Sequence, residues 1–406
     1  MSSMNFVDKL LNGGKVEWKP LESIAKKISS GGTPSTGVAA YYDGDIPWLR
    51  TQEVDFKDIW DTGVKITEDG LKNSSAKWIP ENCVILAMYG ATVGKVAINK
   101  IPLTTNQASA NIELDERVAN YRYVFHYIAS QYEYIKSLGA GSQTNINAGI
   151  VKKLPIPIPC PSNPKRSLEI QGEIVRILDT FTELTAELTA ELTAELTARK
   201  KQYNYYRDKL LSFDDAEVEW KTLGEFTTIT IGEFVRKDKQ NPNAQYPVYN
   251  GGRTPTGYYE EFNNEGDKII VSARGANAGF VNKSSTPYWA GNSCYSIVIR
   301  NVNQLNWMYA YYYLKQSESK LIGIQQKGGI PAVSKKQMED FLLPIPSVAE
   351  QSRIVSILDK FDALTNSISE GLPREIELRQ KQYEYYRDLL LNFPKPDGAA
   401  IASGKK

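Results

Sequence analysis

The chain contains few of the residue types that most enzymes and metal proteins use at their active sites. Its 406 residues include one histidine, His126, and three cysteines, Cys83, Cys160 and Cys294, which lie far apart. With one histidine, Ser-His-Asp triads, Cys-His pairs and histidine metal sites are all but excluded. An odd, scattered set of cysteines indicates a reducing compartment. His126 lies in an aromatic-rich helical stretch, where we expect it to be packed or half-exposed rather than catalytic.

Long hydrophobic runs and an excess of one charge are also missing. No run of eighteen apolar residues exists, and the first six residues lack the pattern of a signal peptide, so we expect a cytoplasmic protein without a membrane span. Lys and Arg number 48, Asp and Glu 47, and the net charge is +1. A protein that neutralises many phosphates by itself should be more basic. Any DNA contact is therefore expected to be local or shared with a partner.

Complete catalytic motifs are not found either. The sequence has no Pro-Pro, which a methyltransferase needs in its site for a flipped adenine. Residues 90–95 resemble a phosphate loop, but the glycines are too close together and Val96 replaces the Ser or Thr that would bind magnesium. Glu-x-Lys triplets at residues 17–19, 219–221 and 318–320 lack the upstream Pro-Asp of a nuclease site. The sequence predicts no catalytic residue, no metal and no cofactor in this chain.

What the sequence does contain is an internal repeat. Four motifs recur in the same order, which indicates two copies of one unit, a mixed domain followed by a long helix. Residues 16–19 recur as 218–221, residues 154–157 as 343–346, residues 174–181 as 354–361, and residues 202–208 as 382–388. Between these landmarks the copies diverge, which suits two recognition modules that read different targets.

The helical segments predict the domain boundaries. One runs from about residue 167 to 211 and the other from about 348 to 392, with a kink or restart at 371–373. The predicted class is α+β, with two mixed domains in a pseudo-two-fold arrangement, separated by two long antiparallel helices that form a coiled-coil spacer. The predicted divisions are 1–165 for the first domain, 166–213 for the central helix, 214–347 for the second domain, 348–393 for the C-terminal helix and 394–406 for a flexible tail.

A Thr-Ala-Glu-Leu array occupies the middle of the first helical segment, residues 182–198. One reading is a low-complexity linker with its leucines facing inward and its glutamates outward. The other is a ruler, because each unit adds about 6 Å and about 40° to a helix, while one DNA base pair adds about 3.4 Å and roughly 35° of twist. We favour the ruler, mainly because of the family resemblance described next.

These features together resemble the specificity subunit of type I restriction–modification systems, and the array resembles the type IC subfamily. The resemblance covers roughly residues 15–393, and its motifs are the helices with Ile-Leu-Asp-x-Phe and Gln-Tyr-x-Tyr-Tyr-Arg-Asp. It implies that each domain reads one half of an asymmetric, bipartite duplex target, while the helices set the spacing. It also implies two methyltransferase subunits that use S-adenosylmethionine, and restriction subunits that use ATP and magnesium.

Candidate DNA-binding residues are polar residues on glycine-rich loops, where the backbone can approach DNA closely. Arg or Lys reads guanine and Asn or Gln reads adenine. The candidates in the first domain are Arg50, Thr51, Gln52, Tyr89, Thr92, Lys95, Gln143, Thr144 and Asn145. The candidates in the second domain are Asn250, Arg253, Arg274, Asn277, Gln325, Gln326 and Lys327. The alternative is that the glycine motifs that the two copies share, residues 89–94 and 274–279, only build turns.

Two other functions remain open at this point. A coiled-coil scaffold could carry two protein-binding domains, and sequence-specific binding to a bipartite duplex separates it from a DNA reader. A modification or nuclease enzyme would need activity of the purified chain with S-adenosylmethionine or magnesium.

Overall fold

The computed structural model describes residues 6–139, 145–214, 218–326, 329–366 and 371–394. The chain divides into two compact units. Unit 1 comprises residues 1–189 and 378–406, and unit 2 comprises residues 190–377. Both divisions fall within long helices. Each unit therefore contains one mixed domain together with segments of the central and C-terminal helical regions.

The domain of unit 1 contains short strands in two larger sheets and one small sheet. Its strands are β1 (Val16–Pro20), β2 (Ala25–Ser30), β3 (Tyr42–Leu49), β4 (Asp58–Ile59), β5 (Lys65–Ile66), β6 (Trp78–Ile79), β7 (Val84–Ala87), β8 (Val96–Asn99), β9 (Leu103–Thr105), β10 (Ser109–Leu114) and β11 (Pro155–Pro159). The sheet orders are β2-β10-β7-β8-β4, β5-β3-β9-β6 and β1-β11. The pairs β3–β9 and β4–β8 are parallel, and the other pairs are antiparallel.

Helices and turns connect these strands. The helices are α1 (Phe6–Leu11), α2 (Glu68–Lys72), α3 (Tyr121–Ser130), α4 (Tyr132–Ser137) and α5 (Ala148–Lys152), and 3-10 turns form at Leu21–Ser23, Ala39–Tyr41 and Thr51–Glu53. Asn120 caps α3, because its side-chain oxygen accepts from the backbone N–H groups of Arg122 and Tyr123. Tyr123, Val124 and Ile128 of α3 are buried in the core of the domain.

The first long helix, α6 (Pro164–Leu210), has 47 residues. It begins three residues before the predicted Ser167, because proline is well tolerated in the first turn of a helix. Asn163 caps this end, since its side-chain oxygen accepts from the backbone N–H of Arg166 at 3.0 Å. In unit 1, Ile170 and Ile174 of α6 are buried in the core of the domain.

The domain of unit 2 repeats much of this skeleton. Its strands are β12 (Glu219–Thr222), β13 (Thr227–Ile231), β14 (Tyr246–Tyr249), β15 (Gly257–Tyr259), β16 (Lys268–Ser272), β17 (Val281–Ser284), β18 (Trp289–Ala290), β19 (Cys294–Ile299) and β20 (Leu342–Ile345). Its helices are α7 (Leu223–Phe226), α8 (Trp307–Gln316), α9 (Glu318–Gly323) and α10 (Lys335–Glu339), with a 3-10 turn at Lys237–Lys239. The sheet orders are β13-β19-β16-β17, β15-β14-β18 and β12-β20.

The C-terminal helical region consists of α11 (Val348–Asn366) and α12 (Leu372–Leu391). The predicted interruption at residues 371–373 is therefore confirmed. Gly371 has a φ of +81°, and a Cβ there would lie 2.5 Å from the carbonyl oxygen of Ala363. Only glycine fits such a position without strain, so the restart at α12 is built into the sequence.

Aromatic residues of the repeated motifs join the helices within each unit. In unit 1 the ring of Phe181 stacks on Tyr386 at 5.4 Å, and the Thr182 hydroxyl donates to the hydroxyl of Tyr383 at 3.2 Å. In unit 2 the ring of Tyr206 stacks on Phe361 at 5.8 Å. Since residue numbers rise along α6 as they fall along α12 in unit 1, the two segments there are antiparallel.

The predicted α+β class with two mixed domains and long helices is confirmed. Each domain has a hydrophobic core of its own, and the strands at the centre of each core are β7 in unit 1 and β16 in unit 2. In the part of the chain that the structure describes, no helix is long and apolar enough to cross a membrane.

Candidate DNA interface

Candidate residues from separate segments meet at one end of the unit 1 domain. Arg50 follows β3, and Thr51 opens the 3-10 turn after it. The hydroxyl of Thr92 donates to the carbonyl oxygen of Thr51 at 2.7 Å, which joins this turn to the loop after β7. The backbone N–H of Ile146 donates to the carbonyl oxygen of Met88 at 3.0 Å. Asn145 and Tyr89, the neighbours of that pair, are thereby brought to the same loop cluster.

The side chains of this cluster differ in their freedom to contact a ligand. Arg50 lies 3.5 Å from a carboxylate oxygen of Glu53, and its guanidinium is 3.0 Å from the amide of Gln52 when that amide is oriented to accept. Lys95 forms an ion pair with Asp55 at 2.7 Å. Tyr89 and Gln52 are exposed. Arg50 is therefore held in place by its neighbours, while Lys95 is engaged within the protein.

The candidates of unit 2 meet in the same way. Nε of Arg253 donates to the side-chain oxygen of Asn277 at 3.3 Å, and the Arg253 guanidinium lies over the ring of Phe280 at 5.5 Å. The amide nitrogen of Asn277 donates in turn to the carbonyl oxygen of Gly251 at 3.3 Å. These contacts connect the loop after β14 to the glycine turn after β16, and they orient the exposed Arg253.

Three further candidates complete the unit 2 cluster. Arg274 is exposed and forms an isolated bridge with Ala332, which also pairs with Gln326. The side-chain amide of Gln325 donates to the carbonyl oxygen of Ala278 at 2.5 Å. Among the residues that the structure describes, the guanidinium of Arg274 has no hydrogen bond or ion pair, so it is available to a ligand.

Some candidates are engaged in contacts within the protein, and others lie outside the described residues. The side-chain oxygen of Asn250 accepts from the backbone N–H of Ser293 at 3.1 Å, so Asn250 holds the turn between β18 and β19. Gln143, Thr144 and Lys327 lie outside the described residues. No contact with DNA is present to test any candidate, and all of them stay predictions.

The two loop clusters are built on the same backbone frame. Gly94 donates its N–H to the carbonyl oxygen of Ala87, at 2.9 Å, and Gly279 donates to that of Ser272, at 2.8 Å. Both glycines have a positive φ, +84° and +87°, which the turn requires. The shared glycines therefore do build turns, as the alternative reading holds, and these turns carry different side chains in the two units.

A buried glutamine joins each domain to its helix, and the sequence reasoning missed it. The side-chain oxygen of Gln171 on α6 accepts from the backbone N–H of Asn120 at 2.8 Å. Gln351 on α11 accepts from the backbone N–H of Asn306, also at 2.8 Å. Both glutamines are fully buried. A glutamine at the same position of both repeats, three residues before an isoleucine in each, was the signal for this joint.

A second joint differs between the units. In unit 1, Asp179 on α6 accepts from Nε of Arg122 and from the ring of His126, both at 2.7 Å. Arg122 also pairs with Asp58 at 3.1 Å. In unit 2 the equivalent residue, Asp359, accepts from the hydroxyl of Tyr312 at 2.6 Å. The chain's single histidine is thus buried and packed, as predicted.

The charge of Asp179 is stabilised by this joint. Burial raises the pKa of its carboxyl, but the hydrogen bonds from His126 and Arg122 outweigh burial and lower the pKa to about 2. In unit 2, burial and the bond to Asp359 both raise the pKa of the Tyr312 hydroxyl, which keeps it a hydrogen-bond donor. The joint of unit 1 is therefore ionic, and that of unit 2 uses a neutral donor.

Replacing Asp179 by Asn should reveal the ionic joint through its pH dependence. We expect a loss of about 2 kcal/mol in the free energy of unfolding at pH 7, because the folded-state pKa is about 2 and the ordinary value is 3.8. This stability is present above the ordinary pKa and is lost as the pH falls through about 2, so about half should remain at pH 3. Denaturant unfolding of both proteins measures it.

The control for this prediction is Glu169→Gln, which removes an exposed carboxylate from the same helix. Its effect should stay below about 0.5 kcal/mol. An Asp179→Asn loss that does not shrink between pH 7 and pH 3 contradicts the ionic account.

The described residues contain no group of three or more His, Cys, Asp and Glu side chains that could hold a metal ion. Cys83 and Cys294 are buried, and burial raises the pKa of both thiols to about 12. These two thiols are therefore packed core residues rather than reactive groups.

Comparison with known proteins gives a consistent result along the whole chain. The family described as "Type I restriction modification DNA specificity domain" matches residues 14–198 and 216–378. The specificity subunit of the Escherichia coli type I restriction enzyme EcoR124I/EcoR124II is 37% identical, over 98% of this chain and 99% of that protein. The EcoprrI specificity subunit from Escherichia coli is 36% identical, over 91% and 93%.

Solved structures show the same fold. A structure from work on complex assembly and conformational transition of the type I system covers 93% of this chain and 98% of its own, with a TM-score of 0.66 and 17% identity. The S subunit from M. genitalium covers 95% and 98%, with a TM-score of 0.51 and 20% identity. The chain therefore belongs to the family of type I restriction–modification DNA specificity subunits.

Proposed function

We propose that this chain recognises an asymmetric, bipartite duplex target, with each domain reading one half-site. The observation that supports this most directly is the pair of loop clusters. Arg50 with Gln52, and Arg253 with Asn277, stand on equivalent frames, and arginine, asparagine and glutamine are the side chains that read guanine and adenine. Because the frames match and the side chains differ, the two half-sites should have different sequences.

Geometry limits the form of the target. Two heads on one face of B-DNA lie about one helical turn apart, about 10 base pairs centre to centre. If each head reads three or four pairs, roughly six or seven unread pairs remain between them. The target should therefore be two short, unlike sequences with a gap of fixed length.

We propose that the catalytic work is done by partner subunits. Two methyltransferase subunits would use S-adenosylmethionine, and restriction subunits would use ATP and magnesium, while this chain directs them to the target. The net charge of +1 supports shared phosphate contacts, since a chain that held DNA alone should be more basic.

Mapping of methylated sites tests the proposed function. The chain is co-expressed with its methyltransferase partner in a host without other adenine methylation, and modified positions in the genome are sequenced. We expect one bipartite, asymmetric target with a single gap length. Methylation at a continuous site, or none above the level of the partner alone, would contradict the proposal.

Two exposed tyrosines are the proposed docking positions for the partner. Tyr205 and Tyr385 occupy the same place in the two repeats and are 61% and 65% exposed. Their neighbours Tyr206 and Tyr386 are used in packing between helices. A tyrosine exposed at both equivalent positions suits two copies of one partner, because tyrosine is enriched in protein interfaces.

Replacing Tyr205 and Tyr385 together by Ala should weaken binding of the methyltransferase subunit about tenfold per site. Titration of the purified chain with that subunit, followed by analytical ultracentrifugation, measures the effect. Leu184→Ala is the control, since Leu184 is 55% exposed on the same helical system. An unchanged affinity in the tyrosine variant places the docking surface elsewhere.

A further inference from the structure

The loop after β13 in unit 2 carries a second set of groups suited to DNA. Residues 232–239 include three basic and two acidic side chains and one exposed aromatic, Phe234. This loop was not among the candidates from sequence, because its charges nearly cancel. The structure shows which charged side chains of the loop pair with each other and which do not.

The base of the loop is fixed. The backbone N–H of Glu233 donates to the carbonyl oxygen of Ala290 at 2.8 Å, and the indole of Trp289 donates to the carbonyl oxygen of Glu233 at 2.9 Å. Gly232 packs so closely on Ala290 that a Cβ would collide with its carbonyl oxygen. The groups farther along the loop are therefore held on a defined stem.

That stem adjoins the candidate interface. Gly291, the residue after Ala290, donates its N–H to the carbonyl oxygen of Tyr249 at 2.7 Å, and Asn250 follows Tyr249 directly. The stem of the loop and the base of the cluster with Asn250 and Arg253 are thus joined through one turn. A duplex seated on that cluster comes within reach of the loop.

The side chains of the loop point to two kinds of contact. The guanidinium of Arg236 is paired with Asp238 at 2.8 Å, which cancels those two charges. Lys237 and Lys239 are exposed, and neither has a hydrogen bond or ion pair with any residue that the structure describes. Phe234 is 67% exposed and has no ring contact within the same described residues.

Unit 1 has a loop in the equivalent place, after β2, that is anchored by similar bonds but lacks these groups. The N–H of Gly32 donates to the carbonyl oxygen of Thr105 at 2.9 Å, and the indole of Trp48 donates to the carbonyl oxygen of Gly32 at 2.9 Å. Residues 31–38 contain no charged and no aromatic side chain. The frame therefore does not require Phe234 or the two lysines.

We propose that the loop of residues 232–239 is an additional DNA contact of the second domain, and this rests on the proposed function. Lys237 and Lys239 bind backbone phosphates, which adds affinity without sequence preference. Phe234 makes an apolar contact with a base or deoxyribose beside the half-site, as exposed aromatic and apolar wedges do in other DNA complexes.

The test compares three variants of the full chain in complex with its methyltransferase partner. Lys237→Ala/Lys239→Ala and Phe234→Ala probe the loop, and Lys335→Ala/Lys336→Ala removes the same charge from another exposed site in unit 2. The probes are a duplex with the mapped target and a scrambled duplex of the same composition. Affinity for both is measured between about 50 and 200 mM salt.

The double-lysine variant should weaken binding to both duplexes and reduce the salt slope by about two units, close to 0.9 for each lost phosphate contact. Phe234→Ala should weaken target binding about tenfold and leave the slope unchanged. The control pair should change neither value.

Three outcomes distinguish the possible failures. If the wild-type complex does not prefer the target duplex, the proposed function itself fails. If it does prefer the target but the loop variants keep its affinity and slope, the loop does not touch DNA. If the loop variants lose the methyltransferase subunit instead, the loop binds protein, and the DNA contact is overturned.

Discussion

Deletion of one Thr-Ala-Glu-Leu unit, residues 189–192, is expected to shorten the unread gap of the target by one base pair. The array lies in the middle of α6, which is helical from Pro164 to Leu210. Removing four residues takes away about 6 Å and about 40° of rotation. One base pair contributes about 3.4 Å and roughly 35° of twist. Both half-sites should persist, and methylation at the original target should disappear.

Methylation mapping of the deletion variant measures this effect. Glu191→Gln, which changes a side chain in the array and leaves its length unchanged, is the matched control and should keep the original target. An unchanged gap after the deletion shows that the array is only a linker. If the variant methylates no site, its co-purification with the methyltransferase subunit shows whether it is folded.

Replacement of Arg253 by Ala should change recognition in one half-site only. Its guanidinium is oriented by Asn277 and Phe280, so a large part of the cost of ordering the side chain is met before DNA binds. A bidentate arginine–guanine contact contributes about 1–3 kcal/mol of discrimination. We therefore expect discrimination at one base pair of the second half-site to fall about 5- to 150-fold, with the first half-site unaffected.

Competition binding with duplexes changed at single positions measures that discrimination. Arg353→Ala is the control, because Arg353 is an exposed arginine of α11 that pairs with Glu350. A uniform loss of affinity across all positions shows that Arg253 contacts a phosphate rather than a base. An equal loss at both half-sites contradicts the assignment of one domain to one half-site.

The helices could be predicted from the sequence because their signals are local. Apart from Gly172, the absence of glycine and proline between about residues 167 and 211 outlined most of α6, and the Gly-Leu-Pro at residues 371–373 marked the restart at α12. The start of α6 was predicted at about residue 167, three positions late, because the helix begins at a proline, Pro164. A proline can end one element or lie in the first turn of a helix, and the cap at Asn163 shows that Pro164 lies in the first turn.

For the sheets, the sequence predicted the fold class but not the individual strand pairings. Strands such as β4, β5 and β6 have two residues each, too short for any periodic pattern. Their partners are distant, as in the parallel pairing of β4 with β8. Such pairings depend on tertiary packing, which a local pattern does not encode.

The candidate interface was partly within reach of sequence reasoning. The glycine turns at residues 90–94 and 275–279 were found because both repeats carry them, and they do bring distant segments together. The joint of Asp179 with Arg122 and His126 was missed, because its members are more than fifty positions apart and the second repeat uses Tyr312 instead. The loop at Phe234 was missed because its basic and acidic side chains nearly cancel in the sequence.

A gap-length scan tests the central claim, that two heads read DNA at a fixed separation. The purified complex is offered duplexes that carry both mapped half-sites with gaps from two pairs shorter to two pairs longer than the natural one. The account predicts tight binding at one gap, with a marked loss at each neighbouring length, since one pair shifts a half-site by about 3.4 Å and roughly 35°. Equal binding at all gaps would show that the heads are not held at a fixed distance, and would contradict the account.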